Sequence, residues 1–329
     1  MAYDGKCLSR ASDALRQRAS AHESEYNERE RRICELDSRI GVINIQLRRS
    51  MIGVINSALS ANENIEEKVK SAQNENRRLR QHRGELLCEL GYPADYLDRG
   101  PLCPLCGDTG YTEAGMCSCL KELYCRELVK SLSENTGFSK IGFSDFKPEL
   151  YSDELRPGER TTVRENMLYN VHVCREFVLD PASRRSMFFS GAPGTGKSFL
   201  AAATAFELCD RGEYVIYVTA GMLFSCYEDD RFRRLEEARA EIRRWENCSV
   251  LIIDDLGTES ASSQNAPSLY QLINTRAAAN RRTILCAGFD PSELARRYSA
   301  PIASRISGEY KLLLFRGDDI RQSASLNFR

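Results

Sequence analysis

The segment that most constrains this chain is Gly191-Ala192-Pro193-Gly194-Thr195-Gly196-Lys197-Ser198. The spacing G-x-x-x-x-G-K-[ST] makes a phosphate-binding loop only where it joins a strand to a helix. Its glycines let backbone N–H groups turn inward around phosphate oxygens, and the helix N-terminus that follows adds a favourable dipole. Met187-Phe188-Phe189 reads as the strand before it and Phe199-Leu200-Ala201-Ala202-Ala203 as the helix after it. Residues Gly191 to Phe199 are thus the expected ATP cradle, with Lys197 reaching the β and γ phosphates and Ser198 offering a hydroxyl to Mg²⁺.

Around that loop the pattern alternates strand and helix. Ser186 to Ser190, Tyr214 to Thr219, Val250 to Asp254, Thr283 to Ala287 and Tyr310 to Phe315 are short apolar runs separated by helical segments. Such runs indicate a parallel sheet covered on both faces, hence an α/β domain. The run Val250-Leu251-Ile252-Ile253 ends in Asp254 and Asp255, at the strand edge where ligands bind in doubly wound sheets. Asp254 is expected to hold the Mg²⁺ shell and Asp255 to orient the attacking water.

The first ninety residues are different in kind. They are charge-rich, almost free of proline, and carry two apolar series at helical spacing. One is Ile33, Leu36, Ile40, Ile43, Leu47, Met51, Val54; the other is Ile65, Val69, Ala72, Asn76, Leu79, Arg83, Leu86, Leu90. Ser60 to Asn64 offers turn chemistry between them, so the spacing predicts a helical hairpin or coiled coil, with one long helix as the alternative. A seam of this length points to partner binding.

Next, Cys103-x-x-Cys106 and Cys117-x-Cys119 flank ten residues rich in Gly, Asp and Thr. Two close thiolate pairs can converge on one tetrahedral zinc. Cys125 is near enough in sequence to be a spare ligand. The remaining cysteines of the 13 are expected to be reduced and buried, because no apolar leader marks the chain for secretion and a cytoplasmic location follows. The 46 Lys and Arg nearly balance 47 Asp and Glu, so nucleic-acid contact requires a local basic face. No apolar run approaches the roughly 20 residues of a membrane span. The expected domains are a helical region 1–98, a zinc module 99–128, a linker 129–160 and an ATPase domain 161–329.

With these motifs the chain resembles the DnaC/DnaI-type bacterial helicase loaders, AAA+ ATPases close to the IstB transposition helpers. The resemblance rests on Phe146 through the P-loop, Asp254-Asp255-Leu256-Gly257-Thr258-Glu259, Ile273-Asn274-Thr275-Arg276, Ser304-Arg305-Ile306 and Gly317-Asp318-Asp319-Ile320-Arg321. It extends upstream to the four cysteines and Tyr92-Pro93-Ala94-Asp95-Tyr96-Leu97. It implies an AAA+ P-loop fold, with Arg305 as an arginine finger reaching the ATP of a neighbouring subunit and Arg321 as the second sensor. Self-assembly through the ATP site is then expected. Eight residues follow Arg321, too few for a C-terminal helical lid, and the loaders are also lidless. Gly288 stands where they usually carry a polar sensor, so slow hydrolysis is expected.

The resemblance further implies a replicative DNA helicase and single-stranded DNA as partners. Arg231, Arg233, Arg234, Arg239, Arg243 and Arg244 fall in the segment that corresponds to the loaders' DNA-contacting insertion. As a helix this segment has a broken basic face, and a salt-bridged solvent helix fits nearly as well. The alternatives are an IstB-like ATPase assisting a transposase on duplex DNA, and a non-hydrolysing adaptor whose zinc module binds nucleic acid. A metabolic P-loop kinase is disfavoured, because nothing after the two carboxylates resembles an acceptor lid.

Overall fold

The computed structural model describes residues 3–59, 65–180, 185–260 and 262–321. The turn expected at Ser60 to Asn64 lies outside the described residues. Two compact units emerge, one of residues 13–119 and the other of residues 3–12 together with 120–321. The chain therefore crosses between them after residues 12 and 119, inside two long helices and away from the boundaries expected from composition. No described helix is long and apolar enough to cross a membrane.

The smaller unit holds most of α1 (Gly5–Leu36), then α2 (Ser38–Leu59), α3 (Ile65–Glu89) and the short antiparallel strands β1 (Tyr111–Thr112) and β2 (Gly115–Met116). The first apolar series is not one helix: Asp37 interrupts it, its carboxylate accepting the N–H of Arg39 at 2.9 Å. A side chain that caps locally competes with the helical ladder, which is why the helix restarts here. Leu36, a member of the series, is exposed, whereas Ile33, Ile40 and Ile43 bury with Leu86, Leu87 and Leu97. Arg83, a polar position of the second series, lies inside this core. It donates to Asn44 at 3.2 Å and pairs with Asp98, and Asn44 donates to Glu30 at 2.9 Å. Glu30 in turn accepts from Arg48. A buried guanidinium persists only when its N–H groups find such acceptors.

The larger unit is built on five parallel strands, β3 (Ser186–Gly191), β4 (Val215–Thr219), β5 (Val250–Leu256), β6 (Arg282–Ala287) and β7 (Tyr310–Phe315), in the order β4-β5-β6-β3-β7. All five runs expected to be strands are strands. The central ones are apolar on both sides, Phe188, Phe189, Ile252, Ile253, Leu285 and Cys286 being at most 1% exposed. The two faces are covered by separate helix sets. Helices α5 (Val163–Leu179) and α6 (Lys197–Asp210) pack on each other, and α7 (Ala220–Glu228), α9 (Asn265–Ala278) and α11 (Ala300–Glu309) form the second set. Helix α8 (Glu236–Asn247) joins that second set through α7 and α9, and the single turn α10 (Leu294–Arg297) leads into α11.

Helix α5 begins with a capping box, Thr162 accepting from the Glu165 N–H while Glu165 accepts from the Thr162 N–H. Arg276, wholly buried, donates to the carbonyls of Trp245, Cys248 and Arg282, holding the end of α8 against β6. Its role is structural. The stretch 129–160 packs closely: α4 (Ser118–Thr136) crosses into this unit, and Phe143 and Tyr151 are buried. The N-terminal residues belong here too, with Asp4 accepting from Arg244 at 3.0 Å.

Candidate nucleotide and metal sites

Strand order decides what surrounds the phosphate loop. The P-loop strand β3 is separated from β5 by β6, so Lys197 at the start of α6 and Asp254 near the end of β5 flank the C-terminal end of β6. Gly288 follows that end directly, between the two sites. A Cβ built on Gly288 would meet nothing within 4 Å.

Within the loop, φ values of +157° at Gly191, +80° at Gly194 and +95° at Gly196 are closed to most side chains. Close packing enforces the same choice. A Cβ on Gly191 would lie 2.1 Å from the Phe315 carbonyl oxygen, and one on Gly194 would lie 2.0 Å from the Asp319 carboxylate. The segment after β7 thus passes over the loop, held by the Ile320 N–H on the Gly194 carbonyl at 3.0 Å. On the other side the Tyr151 hydroxyl faces Gly196 and reaches the Thr195 carbonyl at 3.5 Å.

Lys197 donates to the carbonyls of Gly191 and Ala192, both at 2.8 Å. Burial lowers its pKa, against the opposing pull of nearby Asp254 and Asp255. Asp254 is 4% exposed; it accepts from the Asp255 N–H at 2.9 Å and from the Tyr217 hydroxyl. Asp255 sits at φ +57°, outside the strand conformation, and burial, then the Asp254 charge, raises its pKa. Arg321 pairs with Asp319 at 2.9 Å and its charge is felt at both Asp255 and Lys197. One edge of the sheet therefore gathers Lys197, Ser198, Asp254, Asp255 and Arg321. A hydroxyl and a buried carboxylate are hard oxygen donors, which fits Mg²⁺ held by Ser198 and Asp254 alongside phosphate oxygens.

Arg305 is elsewhere. Its helix runs directly into the start of β7, and β7 pairs in parallel with β3 from Ser186↔Tyr310 to Gly191↔Phe315. The start of β7 lies at the opposite edge of the sheet, roughly 16 Å from the P-loop at 3.3 Å per strand residue, and Arg305 lines a cavity at that edge with Arg185 and Arg281. Its guanidinium pairs with Glu309 at 2.8 Å.

Of the six arginines between β4 and β5, Arg233 pairs with Asp229, Arg239 with Asp230, and Arg244 with Glu241 and Asp4. Arg231 donates to Gln264. Arg231, Arg234 and Arg243 have no ion pair among the described residues.

The cysteine pairs converge in the smaller unit. The Sγ atoms of Cys103, Cys106, Cys117 and Cys119 all lie within 4.8 Å of one another, with Cys103–Cys117 at 3.7 Å and Cys106–Cys119 at 3.5 Å. Four sulfurs at 2.3 Å from a tetrahedral zinc stand about 3.8 Å apart, so the donor set fits. Asp108, at φ +64°, accepts the N–H groups of Leu102 and Cys103 and closes the first turn. The Gly110 N–H donates to Cys106 Sγ at 3.4 Å, a hydrogen bond of the kind that orients metal-bound thiolates. Cys125 is outside the cluster; its sulfur packs at Gly212 in the larger unit.

Tyr151, Tyr217 and Asp319 were missed as site residues. The strand order brings Tyr217 to the site, the path of the chain after β7 brings Asp319, and the stretch before α5 brings Tyr151, and none of these has a local sequence signal.

The fold and cradle define a P-loop ATP-binding domain of α/β type. Residues 179–289 match the family described as IstB-like ATP binding protein. The replicative helicase loader DnaC of Escherichia coli (strain K12) is 28% identical over 138 residues, covering 41% of this chain and 56% of the relative. The DnaC loader of Buchnera aphidicola subsp. Baizongia pistaciae (strain Bp) is 30% identical over 107 residues, or 32% of this chain and 43% of the relative. The chain spans about half the length of the curated relatives it matches. The crystal structure of DnaI superposes with a TM-score of 0.44 at 22% identity, over 55% of this chain and 91% of that one. The resemblance to DnaC-type loaders drawn from the motifs is met by these relatives.

Proposed function

We propose that this chain is an ATP-switched helicase loader, which binds a replicative DNA helicase and delivers it to single-stranded DNA. The observation that carries this reading is the nucleotide edge itself, Lys197, Ser198, Asp254 and Asp255 around one sheet end, in a chain whose relatives are named replicative helicase loaders. ATP binds at the loop with Mg²⁺ on Ser198 and Asp254. Hydrolysis is slow, because Gly288 offers no side chain at the point between the two strands where the γ-phosphate is sensed. Arg305 acts on the nucleotide of a neighbouring copy, since it lies a strand's length from its own. The zinc module and the helices of the smaller unit form the docking end for the helicase, and the arginine stretch between β4 and β5 touches single-stranded DNA through Arg234 and Arg243.

The test is direct. Purified full-length protein and the replicative helicase of its host are mixed with and without ATP, then separated by gel filtration and challenged with single-stranded DNA. A stable complex with ATP-dependent transfer of helicase to DNA is expected. Absence of any complex, with both proteins folded, excludes the loader. The IstB-like match at residues 179–289 makes the transposase helper the second reading, distinguished by ATP-dependent binding of duplex DNA without the helicase.

A further inference from the structure

A cavity of about 700 Å³ opens at the N-terminal edge of the sheet, away from the chain's own phosphate loop. Its size lies within the range of small-molecule sites. Arg185 before β3, Arg281 before β6 and Arg305 on α11 line it, with Asn274 on α9 and a single carboxylate, Glu309. Both oxygens of Glu309 already accept from Arg305, at 2.8 and 3.1 Å. Arg281 has no acid partner among the described residues, and its Nη1 is buried without a hydrogen bond. The side-chain oxygen of Asn274 is likewise buried and unpaired.

Buried guanidinium N–H groups left unpaired are costly, and they call for acceptor oxygens. The lining carries a surplus of two positive charges, which favours a polyanion, and the planar guanidinium matches phosphate oxygens two at a time. The Asn274 oxygen is itself an acceptor, so only the NH₂ of that amide can serve an anion. A polyphosphate is the ligand class that uses the guanidinium groups together with that NH₂.

We propose that Arg281 is a second guanidinium acting in trans, contacting the triphosphate of the nucleotide held by a neighbouring copy of this chain, with the Asn274 amide as a further donor. The inference rests on the trans reading of Arg305, whose side chain opens into the same cavity. The ATP site of each copy is then completed by two arginines from the next, so loss of either impairs hydrolysis and assembly but spares binding to the isolated protomer.

The experiment compares full-length Arg281→Ala, Arg281→Gln, Arg305→Ala and Lys197→Ala, each shown folded by thermal melting; the Gln variant keeps the packed stem if Ala does not fold. ATP affinity of dilute protomers, ATP-dependent assembly by sedimentation, and steady-state hydrolysis are measured. Arg281→Ala or Arg281→Gln is expected to keep protomer affinity within twofold and to lose hydrolysis at least tenfold. Mixing it with Lys197→Ala is expected to restore part of the rate, because each chain supplies the half-site the other lacks. Normal hydrolysis and assembly in the Arg281 variants, with both lost in Arg305→Ala, overturns this inference and leaves the trans reading of Arg305 standing. Normal behaviour in all the arginine variants overturns both. Loss without recovery, in mixtures that sedimentation shows to contain mixed assemblies, puts Arg281 in its own chain. Binding of ATP to monomeric Lys197→Ala that depends on Arg281 makes the cavity a site for free anions and equally overturns the proposal.

Discussion

The Tyr217 hydroxyl donates to Oδ2 of Asp254 across neighbouring strands β4 and β5. Burial, then the Asp254 charge, raises the phenol's pKa, so it stays protonated and serves as a donor. It fixes the orientation of the carboxylate proposed to hold Mg²⁺. Partners of this kind are typically worth 10- to 100-fold in metal affinity. Tyr217→Phe should therefore raise the Mg²⁺ concentration at half-maximal hydrolysis by about tenfold while leaving Mg²⁺-free ATP binding unchanged. A titration of rate against Mg²⁺ checks it, and an unmoved midpoint removes the role.

In the proposed site Lys197 is the main cation opposite the β and γ phosphates. Charge-assisted hydrogen bonds contribute about 1.5–3 kcal/mol, so Lys197→Ala should weaken ATP binding roughly 10- to 100-fold or more. Calorimetric titration of the folded variant measures this directly. Unchanged affinity would mean that the loop holds something other than a nucleotide.

Gly288 has room for a side chain and no positive φ to forbid one. Gly288→Asn should fold normally and, by placing an amide between Asp254 and the phosphate loop, increase ATP hydrolysis by about tenfold, the low end of what one preorganised donor contributes. A rate equal to or below that of the parent counts against slow hydrolysis through a missing sensor.

Zinc should be present at about one per chain on Cys103, Cys106, Cys117 and Cys119. Structural zinc typically contributes on the order of 10 kcal/mol, so Cys106→Ser should unfold the module locally and leave ATP binding intact. Elemental analysis of freshly prepared protein decides the first point and hydrogen exchange the second.

Asp4 ties the N-terminal residues to the larger unit. Burial pushes its pKa up, but the Cys7 N–H and the Arg244 guanidinium outweigh that and hold it below the ordinary 3.8. A lowered folded pKa contributes stability that is fully present above 3.8 and is lost as pH falls through the lower folded value. Asp4→Asn should cost about 2 kcal/mol at pH 7, a difference that shrinks as pH falls below 3.8 and through the lower folded value. Denaturant melts of both proteins across that range test the sign as well as the size.

The phosphate loop and the five strands were legible because each is a local pattern, an octet or an apolar run with its flanking turns. The helical series were only half legible. Periodicity counts apolar side chains but does not see Asp37 capping the restarted helix, so Leu36 reads as core yet is exposed. Arg83 reads as a blemish in a seam, yet its acceptors arrive from Asn44 and Asp98, far away in sequence. The basic run between β4 and β5 reads either as a surface for DNA or as a salt-bridged helix, and half of its arginines are spent on Asp229, Asp230, Glu241 and Asp4. Charge along a sequence reveals its own sign and nothing of its partners.

Strand β7 begins at the arginine-lined cavity and ends with Phe315 against Gly191, and the residues beyond it cross Gly194. Six residues of extended backbone, fully registered on β3, thus connect the pocket proposed to face a neighbour to the chain's own phosphate-binding loop. An extended strand has little slack along its axis, so in a ring or filament of such chains a shift at the pocket of one copy would push directly on that copy's own loop.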